Sequence, residues 1–327
     1  MYNLLAVGDS LIDTHIMIDN ATLECDLNQH NCQLCLNYAA KIPITDSFQA
    51  VGGNAANVAV AAAQLGLKTA ILSSIGKDAN GNMLLEMLKK NKVATKLIFS
   101  DPKAKTRYSV VLNFKQERTI LSYHQKRNYK FPASLPQTDW VYYTSLSEGY
   151  EPIQKKLLQF LYRNRNISLA YNPGTVQLAH IDLVKEVISR TNLLVVNIEE
   201  ARTICSTPVS QLTDATALIK SLQSLGAQEV VITDSSHGAW AGDATSIWHC
   251  ESFPIEVATK TGAGDAFSAG YLAAKFYNKN ITTALLWGIA SSSTAISSHG
   301  PEKKLLTQKE MAKAISKFSS IKPRLIS

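Results

Sequence analysis

Residues 261–276 read TGAGDAFSAGYLAAKF, in which a glycine turn runs directly into a helical stretch. Two glycines in such a turn let backbone N–H groups approach a ligand, and the start of a helix adds partial positive charge. The turn is therefore suited to hold a phosphate group. Asp265 in the same turn is placed to take a proton from a hydroxyl beside that phosphate. The structural alternative is a helix capped by Thr261 with an acidic residue in its first turn.

A second glycine pair opens the stretch VGGNAANVAVAAAQLG at residues 51–66. Asn54 and Asn57 lie three positions apart, so their amides face the same side of the predicted helix start. Amide groups in that position can bind hydroxyls of a ligand. Simple capping of the helix by asparagine explains the same residues.

Polar residues also follow two predicted strands. Asp9 and Asp13 come after the apolar run LLAVG, and Asn197 and Glu200 come at the end of LLVVN. Open α/β sheets bind ligands beyond the carboxyl ends of their strands. Asp9 or Asp13 can accept from sugar hydroxyls or cap a loop, and Glu200 can order magnesium or water near phosphates.

Short apolar runs alternate with amphipathic runs of helix length over most of the chain. The predicted strands are 4–8, 69–76, 140–145, 167–171, 193–197 and 229–234, and helices are predicted after each of them and at 263–278, 281–298 and 307–319. This alternation predicts a mostly parallel sheet with helices on both faces.

Two segments interrupt the alternation. Residues 14–50 contain period-two stretches and turn residues, and residues 105–123 read as a β-hairpin. We predict that they form a small sheet apart from a main domain. That main domain comprises residues 1–13, 51–104 and 124–327.

The composition excludes several classes of protein. The 327 residues are 46% hydrophobic and 18% charged, which indicates a globular protein. The net charge of +7 is spread along the chain, so no nucleic-acid role is predicted. No apolar run approaches the roughly 20 residues of a membrane span, and the N-terminus lacks a secretory signal. A cytoplasmic protein with its five cysteines reduced is therefore expected.

Two smaller groups of residues are open to interpretation. Cys25, His30, Cys32 and Cys35 can bind zinc, or they are free thiols in a loop. Arg107 and Arg118 of the predicted hairpin can contact an anionic substrate, or they are exposed strand residues whose stems cover apolar surface.

The motifs together carry a family resemblance. GGNAANVAVAAAQLG with the downstream IGKDANG, and TGAGDAFSAGYLAA, resemble the two signature regions of the ribokinase-like (pfkB) carbohydrate kinase family. Their order, their spacing and the chain length also match. The resemblance implies a three-layer α/β/α fold with a mostly parallel central sheet and a small β-sheet lid that excludes water on closure.

The resemblance also implies roles for single residues. Asp265 corresponds to the catalytic base, and the backbone amides of Gly262, Ala263 and Gly264 correspond to an anion hole. The substrate-binding positions are Asp13, Gly52, Gly53, Asn54 and Asn57. The positions associated with ATP are Asn197, Thr233, Ser235, Gly238, Gly262 and Gly264. Glu200 corresponds to the residue associated with Mg²⁺, which it would hold through water.

Three departures from the family pattern affect these assignments. Thr259 and Lys260 replace common Asp and Thr residues, so a monovalent-cation site is in doubt. Ser235 replaces a usual glycine in the nucleotide loop. Residues 172–174 read NPG where many sugar kinases show a D-x-N pattern, which weakens any inference about the sugar.

The predicted function is transfer of the γ-phosphoryl group of ATP to a hydroxyl, expected to be primary, of a small sugar. A nucleoside kinase of the same fold is the first alternative, and a non-catalytic sugar- or nucleotide-binding regulator is the second. An oxidoreductase is disfavoured because no GxGxxG follows the first strand. A homodimer formed through the lid is expected because exposed strand edges tend to pair.

Overall fold

A computed structural model describes most of the chain. The described residues are 1–26, 32–115, 117–123, 125–207, 214–257, 262–297 and 305–327. They form one large sheet with helices on both faces, a separate sheet of four strands and a two-stranded hairpin. The predicted α/β class is confirmed.

The strands, in chain order, are Tyr2–Val7 (β1), Leu11–Met17 (β2), Thr22–Cys25 (β3), Cys32–Cys35 (β4), Asp46–Gly52 (β5), Thr69–Gly76 (β6), Ala94–Asp101 (β7), Tyr108–Phe114 (β8), Glu117–Tyr123 (β9), Thr138–Tyr143 (β10), Ser168–Tyr171 (β11), Leu193–Asn197 (β12), Glu229–Thr233 (β13), Ala239–Gly242 (β14), Ile247–Cys250 (β15) and Arg324–Leu325 (β16).

The helices are Asn54–Gln64 (α1), Ala79–Lys90 (α2), Glu151–Arg163 (α3), Thr175–Leu178 (α4), Ile181–Ile188 (α5), Ile198–Ile204 (α6), Ala215–Ser224 (α7), Ala263–Phe276 (α8), Ile281–Ile296 (α9) and Gln308–Ser316 (α10). Within the described ranges, no helix combines the length and the apolar content that crossing a membrane requires.

The large sheet has the strand order β16-β15-β14-β13-β12-β11-β10-β1-β6-β7. The seven strands from β13 to β7 pair in parallel, as helical crossovers require. The strands β14, β15 and β16 at the other edge are joined by antiparallel pairing. The helix predicted after residues 229–234 is therefore wrong: the chain turns at Gly238 and returns as β14.

The central strands of the large sheet are buried on both faces. In β1, Leu5 and Val7 pack towards α3, α5, α6 and α7, whereas Leu4 and Ala6 pack towards α1, α2, α8 and α9. All eight residues of β6 are buried. Strands covered on both sides read as continuous apolar runs, which explains why the sequence pattern located them well.

The small sheet has the order β5-β2-β8-β9. The hairpin predicted at residues 105–123 consists of β8 and β9, and β2 pairs in parallel with β8 and antiparallel with β5. β2 begins shortly after β1 of the large sheet, and β5 leads directly into α1, so the small sheet stands beside the carboxyl ends of the central strands.

The hairpin of β3 and β4 corrects the interpretation of the cysteines. Its register places Cys25 opposite Cys32, and the two form a disulfide. The prediction that all five cysteines are reduced is therefore wrong for this pair, and its sulfurs are not thiolate ligands for zinc. His30 lies outside the described residues. In the part of the chain that the structure describes, no group of three or more His, Cys, Asp or Glu residues could hold a metal ion.

Candidate active site

The start of α8 presents the glycine turn and Asp265. Gly262 caps this helix in the left-handed conformation, with φ of 78°, and no side chain among the described residues caps it. A Cβ atom added to Gly264 would meet no atom of the described residues within 4 Å, so these residues leave space over the first turn. The first N–H groups of a helix have no acceptor within the helix itself. Thr259, Lys260 and Thr261, named in the sequence analysis, lie outside the described residues.

The start of α1 meets this turn through one hydrogen bond. Asn57 Nδ2 donates to Asp265 Oδ2 over 2.8 Å, across 208 residues of sequence. Gly53 begins α1 with φ of 88°, a conformation that favours glycine. Asn54 is the first residue of the same helix and is half-buried. The structure therefore brings the two glycine motifs together at a half-buried carboxylate.

Asp13 lies against the first glycine pair. It is a half-buried residue of β2, and a Cβ atom added to Gly52 would stand 2.5 Å from Asp13 Oδ2. Only glycine therefore leaves the Asp13 carboxylate in its place. Arg118 lies within electrostatic range of this carboxylate: burial lowers the pKa of Arg118, while the charges of Glu117 and Asp13 oppose that shift.

A cavity of about 520 Å³ opens beside Asp265, Asn57 and Gly262. Its other lining residues come from β5, α1, α2, α8 and α9 and the segment after α9: Ala50, Val51, Val60, Ala61, Gln64, Met87, Lys90, Asn91, Ala266, Ala295 and Leu305. Asp13, Gly53 and Asn54 are not among the lining residues. The catalytic-base candidate thus faces open space, which the interpretation of Asp265 requires.

Asn197 and Glu200 form reciprocal hydrogen bonds at the start of α6. The Asn197 side chain accepts from the Glu200 N–H, and Glu200 Oε2 accepts from the Asn197 N–H, both over 2.9 Å. Burial raises the pKa of Glu200 to about 7, with the Asn197 N–H opposing the shift and the charge of Asp265 adding to it. Glu200 is therefore close enough to Asp265 to be affected by its charge.

Thr233 stands next to Asn197, because these residues are partners in the pairing of β12 with β13. The loop that follows contains Ser235, with φ of 43°, and Gly238, with φ of 88°. Ser235 thus adopts the left-handed conformation that suits the glycine usual in the family at this position. A Cβ atom added to Gly238 would stand 2.0 Å from the Cys250 carbonyl oxygen, so this position requires glycine.

The sequence interpretation missed a buried polar cluster behind these residues. The Asp9 carboxylate accepts from Tyr129 Oη over 2.6 Å and from Ser147 Oγ over 2.9 Å, and it forms an ion pair with Arg107. Burial and the negative charge of Asp9 raise the pKa of Tyr129, which keeps the phenol a donor. No local pattern signals this cluster, because its members are far apart in sequence.

Two sequence interpretations are corrected by this cluster. Arg107 is 6% exposed and paired with Asp9, so it is not an exposed strand residue. Asp9 is 2% exposed and neither caps a loop by its side chain nor offers a free carboxylate to a sugar. Both interpretations failed because the ends of β1 and β10 bury this carboxylate and require partners for it.

Comparisons with known proteins identify the family and the fold of the chain. Residues 16–308 match the family model described as pfkB family carbohydrate kinase. The chain is similar to a fructokinase of Vibrio alginolyticus, with 25% identity over 83% of this chain and 93% of that protein. Its fold is similar to the structure of Arabidopsis thaliana ribokinase complexed with ribose and ATP. The identity is 17% and the TM-score 0.76, and the match covers 96% of this chain and 98% of that chain. The fold is also similar to that of a Methanocaldococcus jannaschii nucleoside kinase. The identity is 17% and the TM-score 0.73, and the match covers 97% of this chain and 99% of that chain.

Proposed function

The chain belongs to the pfkB family of carbohydrate kinases, and we propose that it transfers the γ-phosphoryl group of ATP to a primary hydroxyl of a small sugar. The family makes it a phosphotransferase that acts on a hydroxyl of a sugar or a nucleoside. One observation carries the assignment of the site. The Asn57–Asp265 hydrogen bond joins both signature motifs at the start of α8, where the described residues leave space over Gly264.

Asp265 is the proposed base. Its carboxylate is half-buried, borders a cavity and is held by the Asn57 amide, so it has a fixed orientation with access to a ligand. In a loose phosphoryl-transfer transition state the enzyme mainly positions the reactants and neutralises charge. A base held within hydrogen-bond reach of the acceptor hydroxyl is then sufficient.

The backbone amides of Gly262, Ala263 and Gly264 are the proposed anion hole. The left-handed turn at Gly262 and the open space over Gly264 support this role, because a phosphate oxygen can reach the N–H groups of the first turn. The positive end of α8 would stabilise charge on the transferring group.

The proposed acceptor site uses residues near the start of β2, at the end of β5 and at the start of α1. They are Asp13, Gly52, Gly53, Asn54 and Asn57. The contact of Gly52 with the Asp13 carboxylate supports this grouping, since it places an acceptor of hydroxyl protons beside the helix that carries Asn57. A lid formed by residues 14–50 and 105–123 over a main domain of residues 1–13, 51–104 and 124–327 would close over the acceptor.

The nucleotide would lie along the ends of β12 and β13. The residues proposed to contact it are Asn197, Thr233, Ser235, Gly238 and the turn at Gly262 and Gly264. Hard oxygen ligands suit magnesium, and the Glu200 carboxylate keeps one oxygen outside its capping bond. Glu200 would therefore hold Mg²⁺ through water, and the bound ion would neutralise phosphate charge.

The partner proposals rest on the surface of the small sheet. Leu121, Ile120 and Tyr108 are 56%, 47% and 39% exposed, and they lie on β8 and on β9, the edge strand of its sheet. Exposed apolar residues on an edge strand favour pairing with a second copy of the chain. A homodimer through this sheet is therefore proposed, and the cytoplasmic location stays a prediction.

The test is a panel of acceptors assayed for ADP release from Mg²⁺·ATP, with and without potassium. D-fructose and D-ribose represent the sugars, and adenosine represents the nucleosides. We expect a sugar to give the highest kcat/KM and the Asp265→Asn protein to release almost no ADP with it. Preference for adenosine would select the nucleoside kinase, and ligand binding without ADP release would select the non-catalytic alternative.

A further inference from the structure

The Asp9 carboxylate gathers hydrogen-bond donors from three distant segments of the chain. Tyr129 donates to its Oδ1, while Ser147 and Arg107 donate to its Oδ2. The Ser147 N–H also donates to the Tyr129 oxygen over 2.8 Å, which closes the cluster. The side chains of Arg107 and Asp9 are 8% and 3% exposed, so this is a buried ion pair.

The four residues stand where the small sheet joins the large one. Asp9 and Ser147 follow β1 and β10, which are neighbours in the large sheet. Arg107 immediately precedes β8, and Tyr129 lies on the connection from β9 back to β10. The carboxylate thus holds the segment that enters the β8–β9 hairpin and the segment that leaves it against the carboxyl edge of the large sheet.

The cluster also contacts the segment that carries the proposed acceptor residues. The Arg107 carbonyl accepts from the Ile12 N–H over 3.2 Å, and Asp13 is the next residue. On the other side, a Cβ atom added to Gly53 would stand 2.5 Å from the Asp9 carbonyl oxygen. The backbone around Asp9 is therefore packed between Arg107 and the start of α1, four residues before Asn57.

Stability alone does not account for such a pair. Burying two charges carries a desolvation cost, and replacing a buried ion pair by apolar residues of similar volume is often neutral or stabilising. A buried, fully bonded carboxylate does define one geometry, because its donors must approach from fixed directions. The ion pair lies behind Asp13 and Gly53, so the geometry that it defines also affects the position of these two residues.

We propose that Arg107 is a positioning residue for the acceptor, which acts through Asp9 on the segment from Asp9 to Asp13 and on Gly53. This inference rests on the proposed function, because it assumes that Asp13 and Asn57 bind the acceptor. Loss of the ion pair should let that segment shift. The acceptor would then bind more weakly, while ATP, which would lie along β12 and β13, would bind as before.

The experiment compares three changes at the cluster with one control. Arg107→Met removes the charge, Arg107→Lys keeps it without the planar fork, and Asp9→Asn with Arg107→Met removes both charges. The control is Lys275→Met. Lys275 pairs with Glu229 over 2.7 Å, and Tyr271 donates to Glu229 over 2.8 Å, at the amino end of β13. This cluster has the same chemistry at the far edge of the sheet.

Each protein is assayed by Tm and by KM and kcat for Mg²⁺·ATP and for D-fructose, D-ribose and adenosine. We expect Arg107→Met to lower acceptor kcat/KM about 30-fold, mainly through KM, since misplacement by about 1 Å can cost on the order of 100-fold. The KM for ATP should stay within about twofold. Arg107→Lys should recover part of the loss, and Lys275→Met should lower Tm without changing either KM.

The double variant separates positioning from stability. If its Tm returns towards that of the wild type while its acceptor KM stays high, the inference is supported, even where Arg107→Met alone does not fold. If Tm and acceptor KM both return, the pair is only structural and the inference is wrong. An active wild type with unchanged Arg107 variants overturns the inference alone, whereas a wild type without ADP release on any acceptor overturns the proposed function as well.

Discussion

The starts of α6 and α8 carry similar polar residues but use them differently. At α6, Asn197 and Glu200 bond to each other's backbone N–H groups, so the helix start is satisfied by its own residues. At α8 none of the side chains that the structure describes caps the helix, and Asp265 is held by Asn57 from α1. A helix start that is capped by its own residues is stable by itself, whereas the start of α8 depends on a contact from a distant helix to hold its carboxylate.

The largest expected effect comes from Asp265 at the start of α8. Asp265→Asn keeps the size of the side chain but removes the proposed base, and we expect kcat to fall about 100-fold or more. Steady-state ADP release with the best acceptor of the panel measures it. Asp243→Asn is the matched control: Asp243 bonds to its own turn at Thr245 and Ser246, and its change should leave kcat within about twofold. Near-full turnover of the Asp265→Asn enzyme would contradict the assignment.

Asn57 should have the second largest effect, because it is the partner that fixes Asp265. Asn57→Ala removes a hydrogen bond to a charged group, of a kind that contributes about 1.5–3 kcal/mol, so kcat should fall about 30-fold. The higher helix propensity of alanine, at most about 0.7 kcal/mol, offsets only part of this loss, so Tm should also fall. Kinetics and thermal unfolding measured on the same preparation distinguish the two effects, and an unchanged kcat would mean that this contact has no role in turnover.

Glu200 tests whether the start of α6 also serves the reaction. With its pKa raised to about 7, the carboxylate becomes charged only as pH rises through neutrality, so activity should rise over that range. Glu200→Gln should remove this pH dependence and lower kcat/KM about 10-fold above pH 7, as expected for a group that orders metal-bound water. A pH profile of both proteins at fixed Mg²⁺ measures this, and an identical profile would place Glu200 outside the reaction.

The same residue predicts a change in stability of definite sign. Because the folded-state pKa lies above the ordinary value of 4.5, the fold favours the protonated form. Glu200 therefore lowers the free energy of unfolding increasingly as pH rises from about 4.5 to about 7. Glutamine can keep the capping bond. The Glu200→Gln protein should thus gain stability relative to wild type across this window, and urea unfolding at several pH values measures the difference.

The smallest expected effect is that of the α6 cap itself. Asn197→Ala removes the side-chain acceptor for the Glu200 N–H and should lower the free energy of unfolding by about 1 kcal/mol. Asn197→Ser keeps a capping oxygen and should recover most of that loss. Urea unfolding compares the three proteins, and any change in the KM for ATP that serine does not restore would indicate a separate nucleotide contact. Equal stability of alanine and serine would contradict the cap.

Much of the fold was readable from the sequence because it depends on near neighbours. The strands β6 and β12 begin and end at the predicted residues, since all of β6 and all of β12 except its last residue are buried. The antiparallel strands β14 to β16 were missed, because their short alternating segments resemble loops as much as strands. Cys25 and Cys32 were misread, since their pairing depends on a hairpin register that the spacing does not specify.

The residues of the site also fall into two groups, those that the nearby sequence indicated and those that it did not. Asp265, Asn57 and Asp13 stood out because each sits beside a glycine pair or at a predicted strand end. Asn197 and Glu200 also stood out at a predicted strand end, although the capping box that they form was not predicted. The cluster around Asp9 was not visible in the sequence, since its partners Arg107, Tyr129 and Ser147 lie 98, 120 and 138 residues away.

The amino-acid sequence by itself determined the α/β class, the two glycine turns and the identity of the residues beside them. These properties arise between groups a few positions apart, through the strand and helix periods and the backbone freedom of glycine. Only the tertiary structure decided that Asn57 binds Asp265, that Gly52 lies against Asp13 and that Arg107 is buried on Asp9. Those contacts depend on the order of strands in the two sheets, which brings distant segments together and buries charges that must then find partners.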